Sequence, residues 1–235
     1  MKKPNHAWIL FERSGTFKKA FEKFGIPATD FDLEAEHEEV VKVDIFKCID
    51  NAFMDIGGHI FNHFKADDLI IAFFPCTYFS DQSQLISRCD SFSMKDYTLE
   101  EKLNLSRVNM RFRADYYDYL CQLVLICKKR NLQLIIENPF GKVNFLKWFF
   151  PLKPEIIIED RRALGDFFKK PTQFFFVNCK AEFSLIPFVG EVKQKKSVQE
   201  IKGFARSRIA PQFAENFIKY FLETEEWKNE KEKSS

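Results

Sequence analysis

The sequence lacks a dominant charge of either sign. Its 36 lysines and arginines are almost balanced by 34 aspartates and glutamates, which leaves a formal net charge of +2. A chain that binds nucleic acid through a polycationic surface carries a clear basic excess, and this chain does not. Any contact with nucleic acid must therefore come from a local group of basic residues.

Long apolar runs are also missing. No run approaches the roughly 18 residues that a membrane-spanning helix needs. The first apolar run ends at Glu12 and is too short for the core of a signal peptide. We therefore expect a protein without a membrane partner, located in the cytoplasm.

The six cysteines include no pair with the CxxC spacing that is typical of structural zinc. In a reducing cytoplasm they are expected to be thiols rather than disulfides. His59 and His63 are four residues apart, as in some metal-binding helices, but a neighbouring glutamate and a third ligand are missing. A metal site is therefore not expected.

Length and composition favour a single folded domain. The chain has 235 residues, of which 46% are hydrophobic and 30% charged, and this balance excludes a wholly disordered chain. We expect one domain over residues 1–222. Residues 223–235 are mostly charged and are expected to fray into solvent as a flexible tail.

Short apolar runs alternate with helical patterns along the chain. The uninterrupted apolar run at residues 69–74 is typical of a parallel strand that is buried on both faces. The polar stretch at residues 80–96 is expected to be a loop. Further strands are predicted at residues 7–11, before Asp32, and at 40–43, 132–136, 155–158 and 173–177, with helices at 17–24 and 99–130. This alternation predicts an α/β fold with a doubly wound, mostly parallel sheet.

Acidic and reactive side chains occur where the predicted strands end. These residues are Asp32, Asp44, Cys76 and Glu137. Ligands of doubly wound sheets bind at the carboxyl ends of the strands, so the four side chains are expected to lie near one site. A cysteine after a proline is by itself more often a small core residue than a nucleophile. The interpretation of Cys76 as a reactive thiol therefore depends on the order of all four residues at successive strand ends.

The same features resemble one known family. The order of these features is similar to that in the C5-cytosine methyltransferases. It comprises a Ser-Gly turn after the first strand, acids after the second and third strands, Pro-Cys after the fourth and Glu-Asn after the fifth. The likeness is closer to compact phage-type relatives with a Pro-Cys-Thr-x-Phe-Ser motif, here Pro75 to Ser80. It covers residues 8–220 and implies a Rossmann-like methyltransferase fold and methyl transfer to C5 of cytosine, with DNA as the expected polymer.

This resemblance implies S-adenosylmethionine as the cofactor. The turn after the first strand would lie under its amino-acid part, where Gly15 lets the backbone approach closely. Asp32, or else Asp30, would accept hydrogen bonds from the ribose hydroxyls, and Asp44 would accept one from the adenine amino group. The implied cofactor-binding residues are Phe11, Ser14, Gly15, Thr16, Asp32, Asp44 and Pro75.

The resemblance also implies the catalytic roles. Cys76 would attack C6 of the target cytosine and thereby make C5 nucleophilic, which is covalent catalysis by an activated thiol. Glu137 would contact N3 and the exocyclic amine of the ring, while Asn138 and Pro139 would hold its loop. In duplex DNA the base would first have to be flipped out of the helix.

Three departures from the family pattern affect the expected binding of the substrate and of the cofactor. Lys170 and Thr172 stand where two arginines of a Gln-x-Arg-x-Arg motif are expected, and lysine cannot reproduce a planar two-pronged contact. The turn at residues 12–15 is less rich in glycine than in the larger enzymes. A separate target-recognition region is missing before the closing motif at residues 208–214. Phosphate contacts could come from basic clusters at 161–162, 169–170, 193–196 and 206–208, if these are not ordinary surface.

Two other functions stay open. Amino-group methylation of adenine or cytosine uses an Asp/Asn/Ser-Pro-Pro-aromatic motif, and residues 74–77 lack its second proline and its polar first residue. A degenerate domain could instead bind cofactor or nucleic acid without turnover, because a fold does not by itself imply a function.

Overall fold

A computed structural model describes residues 2–35, 37–182, 208–225 and 227. Seven strands form its single sheet: β1 (Ala7–Leu10), β2 (Ala28–Asp32), β3 (Val41–Lys42), β4 (Leu69–Phe73), β5 (Gln133–Pro139), β6 (Ile156–Ile158) and β7 (Thr172–Val177). Their order is β3-β2-β1-β4-β5-β7-β6. The first five strands in this order are parallel, and β7 runs antiparallel to both β5 and β6.

Helices flank this sheet. They are α1 (Thr16–Lys23), α2 (Ile45–Phe53), α3 (Asp81–Ser87), α4 (Leu99–Arg130), α5 (Phe145–Phe149) and α6 (Pro211–Phe221), with short 3₁₀ helices at Ile60–His63, Phe92–Met94 and Arg161–Leu164. The α1 and α6 side chains share one core cluster, while those of α2 and α4 share the other. The predicted α/β fold with a mostly parallel sheet is therefore confirmed.

The β4 strand shows why the sheet needs cover on both faces. Leu69, Ile70, Ile71 and Ala72 are all fully buried. Leu69 and Ile71 pack in the cluster with α1 and α6, whereas Ile70 and Ala72 pack in the cluster with α2 and α4. A continuous apolar run thus fills two cores, because successive side chains of a strand point to opposite faces.

The long helix α4 begins and ends where the sequence predicts. The Thr98 side chain accepts a hydrogen bond from the Glu101 amide, and the Glu101 carboxylate accepts one from the Thr98 amide, which together form a capping box. At the other end Asn131 takes a left-handed conformation after a basic last turn. Such a turn is favourable at the negative end of the helix dipole.

The expected loop at residues 80–96 is instead partly helical. It contains α3 and the 3₁₀ turn Phe92–Met94, and the Ser80 hydroxyl caps α3 by accepting a hydrogen bond from the Ser83 amide at 3.3 Å. The helix buries Ser83 and Ser87 rather than large apolar residues. A search for hydrophobic periodicity therefore misses it.

The segment expected to be a solvated tail contributes to the core. Trp227 is only 1% exposed and joins the cluster formed by α1 and α6, and Glu223 is also buried. The burial of this aromatic side chain removes a large apolar area from water. It therefore holds the segment against the core even though most of the neighbouring residues are charged.

No helix within the residues that the structure describes is both long and apolar enough to cross a membrane. The longest, α4, carries charged residues between positions 100 and 118 and again at 128–130.

We predict that Trp227→Ala lowers the free energy of unfolding by about 3–5 kcal/mol, as other core Trp-to-Ala changes do. The matched control is Trp148→Ala, which removes a side chain that is 67% exposed and should change stability by no more than about 0.5 kcal/mol. Urea unfolding followed by circular dichroism measures both. Equal stability of the two variants would contradict the assignment of Trp227 to the core.

Candidate functional site

One cleft lies at the carboxyl ends of β1, β2, β4 and β5 and has a volume of about 520 Å³. The order of the strands reverses at β1, because β2 lies on one side of it and β4 on the other. Ligands of doubly wound sheets usually bind at this switch point, and the cleft lies there. The residues that line it are Phe11, Glu12, Arg13, Ser14, Asp32, Leu33, Glu34, Asp44, Ile45, Phe46, Phe73, Phe74, Pro75, Cys76, Thr77, Tyr116, Glu137, Arg161, Lys170, Arg208 and Ile209.

The turn after β1 forms one wall of the cleft. Phe11 and Gly15 both have positive φ values, 62° and 71°, and so reverse the chain between β1 and α1. The Glu12 carboxylate accepts hydrogen bonds from the Ser14 amide, at 2.9 Å, and from the Ser14 hydroxyl. A side chain therefore holds this turn closed. Of the predicted residues, Phe11 and Ser14 line the cleft, whereas Gly15 and Thr16 shape the turn behind it.

Two carboxylates mark the far side of the cleft. Asp32 accepts a hydrogen bond from the Glu34 amide at 2.7 Å, and Asp44 caps α2 by accepting one from the Lys47 amide at 3.1 Å. Between them the rings of Phe11 and Phe46 lie 5.2 Å apart. An apolar wall next to two carboxylates suits a flat heteroaromatic ring that carries hydroxyl or amino donors.

Asp30 does not serve as the alternative to Asp32. Its side chain is 0% exposed, is absent from the cleft lining, and has no hydrogen-bond partner for either oxygen among the described residues. It lies beneath the turn, 3.6 Å from the point where a Cβ on Gly15 would be. Burial, together with the neighbouring Glu12, raises the pKa of Asp30 to about 8.

Cys76 sits in a tight turn directly after β4. Its carbonyl oxygen accepts hydrogen bonds from the Phe79 amide at 3.0 Å and the Ser80 amide at 3.2 Å. The buried Arg113 of α4 fixes the next part of the turn, because its Nε donates to the Tyr78 carbonyl oxygen at 2.9 Å. Cys76 is half-buried and lines the cleft.

Glu137 faces the same cleft from β5. Its backbone pairs with Phe73, the last residue of β4, so it starts one strand away from the segment that carries Cys76. The carboxylate is 5% exposed and accepts a hydrogen bond from the Thr172 hydroxyl. The Arg161 Nη1 lies 3.7 Å from Glu137 Oε1, so a buried cation stands beside this acid.

Arg161 is the main site residue whose role the sequence did not indicate. The sequence places it in a basic cluster at 161–162 that could contact phosphates or be ordinary surface, but the residue is 0% exposed. Its Nε lies 2.6 Å from Asp166 Oδ2, and its guanidinium lies 4.1 Å from the centre of the Phe213 ring. Asp166 in turn accepts a hydrogen bond from the Ala210 amide at the start of α6, at 3.1 Å. The side chain therefore links the cleft to α6 and cannot neutralise phosphates.

The turns after β4 and β5 are clamped together. Asp81 accepts hydrogen bonds from the amides of Lys142, at 3.0 Å, and Val143, at 3.3 Å. Gly141 permits this approach, since a Cβ there would lie 2.1 Å from Asp81 Oδ1. The Phe145 amide adds a bond to the Phe79 carbonyl oxygen at 2.9 Å. The wall that carries Cys76 and Glu137 is thus held by several independent contacts.

The three residues expected to bind substrate directly separate into two groups. Lys170 lines the cleft. Asn138 and Thr172 are fully buried and absent from the lining, which corrects their assignment as substrate contacts. Asn138 instead donates to the Phe74 carbonyl oxygen at 3.1 Å, and Thr172 donates to Glu137, so both act through other groups. Sequence alone could not separate a contact from a support at these positions.

The remaining basic clusters differ from expectation. Arg162 pairs with Asp160 at 2.6 Å, and Lys170 and Arg208 are at the cleft. Residues 193–196, 206 and 207 lie outside the described residues. Tyr116 of α4, which was not assigned to the site, also lines the cleft, where its ring lies 5.1 Å from that of Phe46.

The described residues contain no group of three or more histidine, cysteine, aspartate or glutamate side chains that could hold a metal ion. His59 is buried beside a 3₁₀ turn, and His63 is exposed at its end.

Comparison with known proteins gives no identification. No protein-family model matches the chain, and no curated protein matches it.

We predict that Asp30 makes stability fall with rising pH. Its folded-state pKa of about 8 lies above the ordinary value of 3.8, so the folded protein keeps a proton that the unfolded chain loses between these values. The free energy of unfolding should therefore decrease from about pH 4 to about pH 8, by up to several kcal/mol at about 1.4 kcal/mol per unit. Asp30→Asn should remove this slope and be more stable than wild type at pH 8.

Urea unfolding at pH 5 and pH 8 tests this dependence. The control is Asp67→Asn, an exposed change that should keep the wild-type slope because Asp30 is intact. An unchanged slope in Asp30→Asn would show that another group causes it.

We also predict that Arg161→Met lowers the free energy of unfolding by about 3–5 kcal/mol, because Glu137 and Asp166 would lose their buried countercharge. The control is Arg162→Met, which breaks a partly exposed pair with Asp160 and should have an effect of at most about 1 kcal/mol. Thermal and urea unfolding distinguish the two. Unchanged stability in Arg161→Met would contradict the role of Arg161 as the buried partner of the two acids.

Proposed function

We propose that the protein is a C5-cytosine methyltransferase that uses S-adenosylmethionine and acts on nucleic acid, with DNA as the expected polymer. One observation carries the proposal. The thiol of Cys76 and the carboxylate of Glu137, from adjacent strand ends, line the same cleft as the turn after β1 and the acids Asp32 and Asp44. This is the combination that the family resemblance implies, and it forms from five separate segments of the chain.

The cleft fits the cofactor chemically. Asp32 and Asp44 offer carboxylate acceptors for ribose hydroxyls and an adenine amino group, and Phe11, Ile45 and Phe46 offer an apolar wall for the adenine ring. Glu12 adds a buried carboxylate oxygen that has no hydrogen-bond partner among the described residues, which suits a positively charged ligand group. When bound, S-adenosylmethionine would supply an electrophilic methyl group.

The protein residues would carry the rest of the reaction. The Cys76 thiolate adds to C6 of cytosine, which forms an S–C6 bond and moves electron density to C5. Glu137 shares a proton with N3 and so stabilises the attacked ring. C5 would then take the methyl group from the sulfonium of S-adenosylmethionine, which would leave as S-adenosylhomocysteine. Water acting as the base would accept the C5 proton, so that the S–C6 bond breaks and the Cys76 thiolate is released.

Arg161 and Thr172 would hold Glu137 in position for this step. The Thr172 hydroxyl donates to one carboxylate oxygen, and the guanidinium lies 3.7 Å from the same oxygen. These contacts leave the second oxygen, Oε2, for the substrate. A cation therefore stands beside the catalytic acid even though Lys170 and Thr172 replace the two arginines of the family motif.

A catalytically inactive binding domain is the second candidate. The glycine-poor turn, closed by the Glu12 side chain, and the missing motif arginines favour it. Amino-group methylation has no comparable support, because the cleft presents a thiol after Pro75 instead of a polar residue before two prolines.

We predict that methyl transfer from labelled S-adenosylmethionine to C5 of cytosine is lost in Cys76→Ser. Duplex DNA, single-stranded DNA, RNA and free cytidine nucleotides are compared as substrates. A covalent adduct should form on DNA that contains 5-fluorocytosine, because the adduct cannot lose fluorine from C5. Cys121→Ser, at another half-buried thiol, is the matched control and should keep activity.

Three outcomes separate the candidates. Transfer that survives Cys76→Ser would rule out the C5 mechanism. Cofactor binding without transfer to any substrate would favour the inactive binding domain. Absence of cofactor binding would remove the methyltransferase proposal altogether.

A further inference from the structure

The first half of α4 extends beyond the level of the site. The helix leads directly into β5, so it runs antiparallel to that strand and its start lies on the side of the cleft. Arg113 already contacts the Tyr78 carbonyl oxygen, two residues after Cys76. Residues 99–112 therefore continue past this level for roughly 21 Å, at 1.5 Å per residue. None of these 14 residues is buried.

Apolar side chains are concentrated on this arm and on the neighbouring helix α5. Seven of the eighteen exposed large hydrophobic residues in the described part of the chain lie on the arm and α5. Helix α5 lies against α4, because the Tyr117 hydroxyl donates to the Phe149 carbonyl oxygen at 2.6 Å and the Arg113 guanidinium lies 5.2 Å from the Phe145 ring centre. Trp148 and Phe149, both more than 60% exposed, thus stand beside the part of α4 that directly follows the arm. Exposed patches of this kind mark interaction sites.

Beyond Glu100 and Glu101 in the first turn of α4, the arm and the segment around α5 are basic and free of acids. Residues 102–114 contain four lysines and arginines, residues 138–154 contain three, and neither contains an aspartate or glutamate. All seven except Arg113 are at least partly exposed. Their six charges stand out in a chain whose net charge is +2. Arg107 and Arg111 are four residues apart and so share one side of the helix.

We propose that these two segments form a binding surface for single-stranded nucleic acid, the arm surface, defined by Arg107, Met110, Arg111, Lys147, Trp148 and Phe149. Exposed rings can stack only on bases whose faces are free, as in an unpaired strand, and the basic side chains can neutralise its phosphates. A second copy of the chain would fit poorly, because a self-complementary contact would bring the two basic patches together. The inference rests on the proposed function, for which it supplies the form of the substrate.

The arm surface also lies where a substrate strand must pass. Tyr78 follows Cys76 by two residues, and its ring stacks on that of Phe112 at 5.7 Å. Phe112 is itself exposed, one residue from Arg111. A strand that crosses the arm is thus led to the turn that carries the thiol. This contact depends on phosphate charge and base stacking, and not on the base sequence. It therefore needs no separate recognition domain.

We predict that the wild type binds an unpaired oligonucleotide more tightly than the duplex of the same sequence, as measured by fluorescence anisotropy. DNA and RNA strands are compared to identify the sugar. Trp148→Ala/Phe149→Ala should weaken binding about ten-fold or more, because base stacking is lost. The matched control, Phe53→Ala/Met54→Ala, removes an adjacent exposed apolar pair at the far end of α2 and should bind as wild type.

The basic residues are tested separately. Arg107→Ala/Arg111→Ala should weaken binding and reduce the slope of log affinity against log salt by about 1.4, or about 0.7 per lost phosphate contact on a single strand. Lys128→Ala/Lys129→Ala changes an exposed basic pair at the opposite end of the same helix and should leave both quantities unchanged. Quenching of Trp148 emission gives an independent readout, since Trp227 is buried and Trp8 half-buried.

Each outcome supports or overturns the inference. Equal or tighter binding of the duplex, no binding by the wild type, or wild-type binding by both surface variants would overturn it. So would a dimer that Trp148→Ala/Phe149→Ala dissociates without loss of strand binding, because the surface would then join two copies.

Cofactor binding and methyl transfer, measured on the same variants, separate this inference from the proposed function. Strand binding at the arm surface without any transfer would contradict the proposed function alone. Transfer by the wild type together with full strand binding by the surface variants would contradict the arm surface alone.

Discussion

One buried cation connects the cleft with the packing of the protein. The Arg161 guanidinium lies between the carboxylates of Glu137 and Asp166 and over the Phe213 ring. A buried carboxylate without a countercharge is strongly destabilising, so both acids depend on this side chain. Glu137 belongs to the centre of the sheet, and Asp166 holds the start of α6, whose other residues complete a core cluster. The geometry of the proposed catalytic acid is therefore set by the same contact that attaches a helix to the sheet.

The two sides of the cleft differ in how they are held. The side with Cys76 and Glu137 is fixed by hydrogen bonds from Arg113, by the contact of Asp81 with the amides after Gly141, and by Asn138. The adjoining arm, residues 99–112, has no buried residue and exposes apolar and basic side chains. In the proposed reaction the rigid side supplies the reacting groups, and the arm supplies affinity for the polymer. This division would separate the chemistry of the proposed reaction from the binding of the polymer.

Local patterns predicted those parts of the structure that depend on local physics. The apolar run of β4 and the capping box of α4 determine their own elements, so the predicted and observed bounds agree closely. The α3 helix was missed because it packs through serines, and Trp227 was missed because one aromatic residue lies among charges. Arg161 was misjudged for a similar reason, since nothing in its neighbours in sequence distinguishes a buried arginine from a surface one. Two of its three partners, Glu137 and Phe213, are distant in the chain.

By itself the sequence determined the α/β class, the order of the strands along the chain, and the presence of an acid or a thiol at each of several strand ends. These follow from the alternation of apolar runs and helical patterns, and from the rule that parallel strands end at one edge. Only the tertiary structure decided which of these side chains face the cleft. It placed Cys76, Glu137, Asp32 and Asp44 there, turned Asp30, Asn138 and Thr172 into the interior, and brought Arg161 in beside Glu137. Burial and the pairing of charges depend on contacts between distant segments, and no local pattern records them.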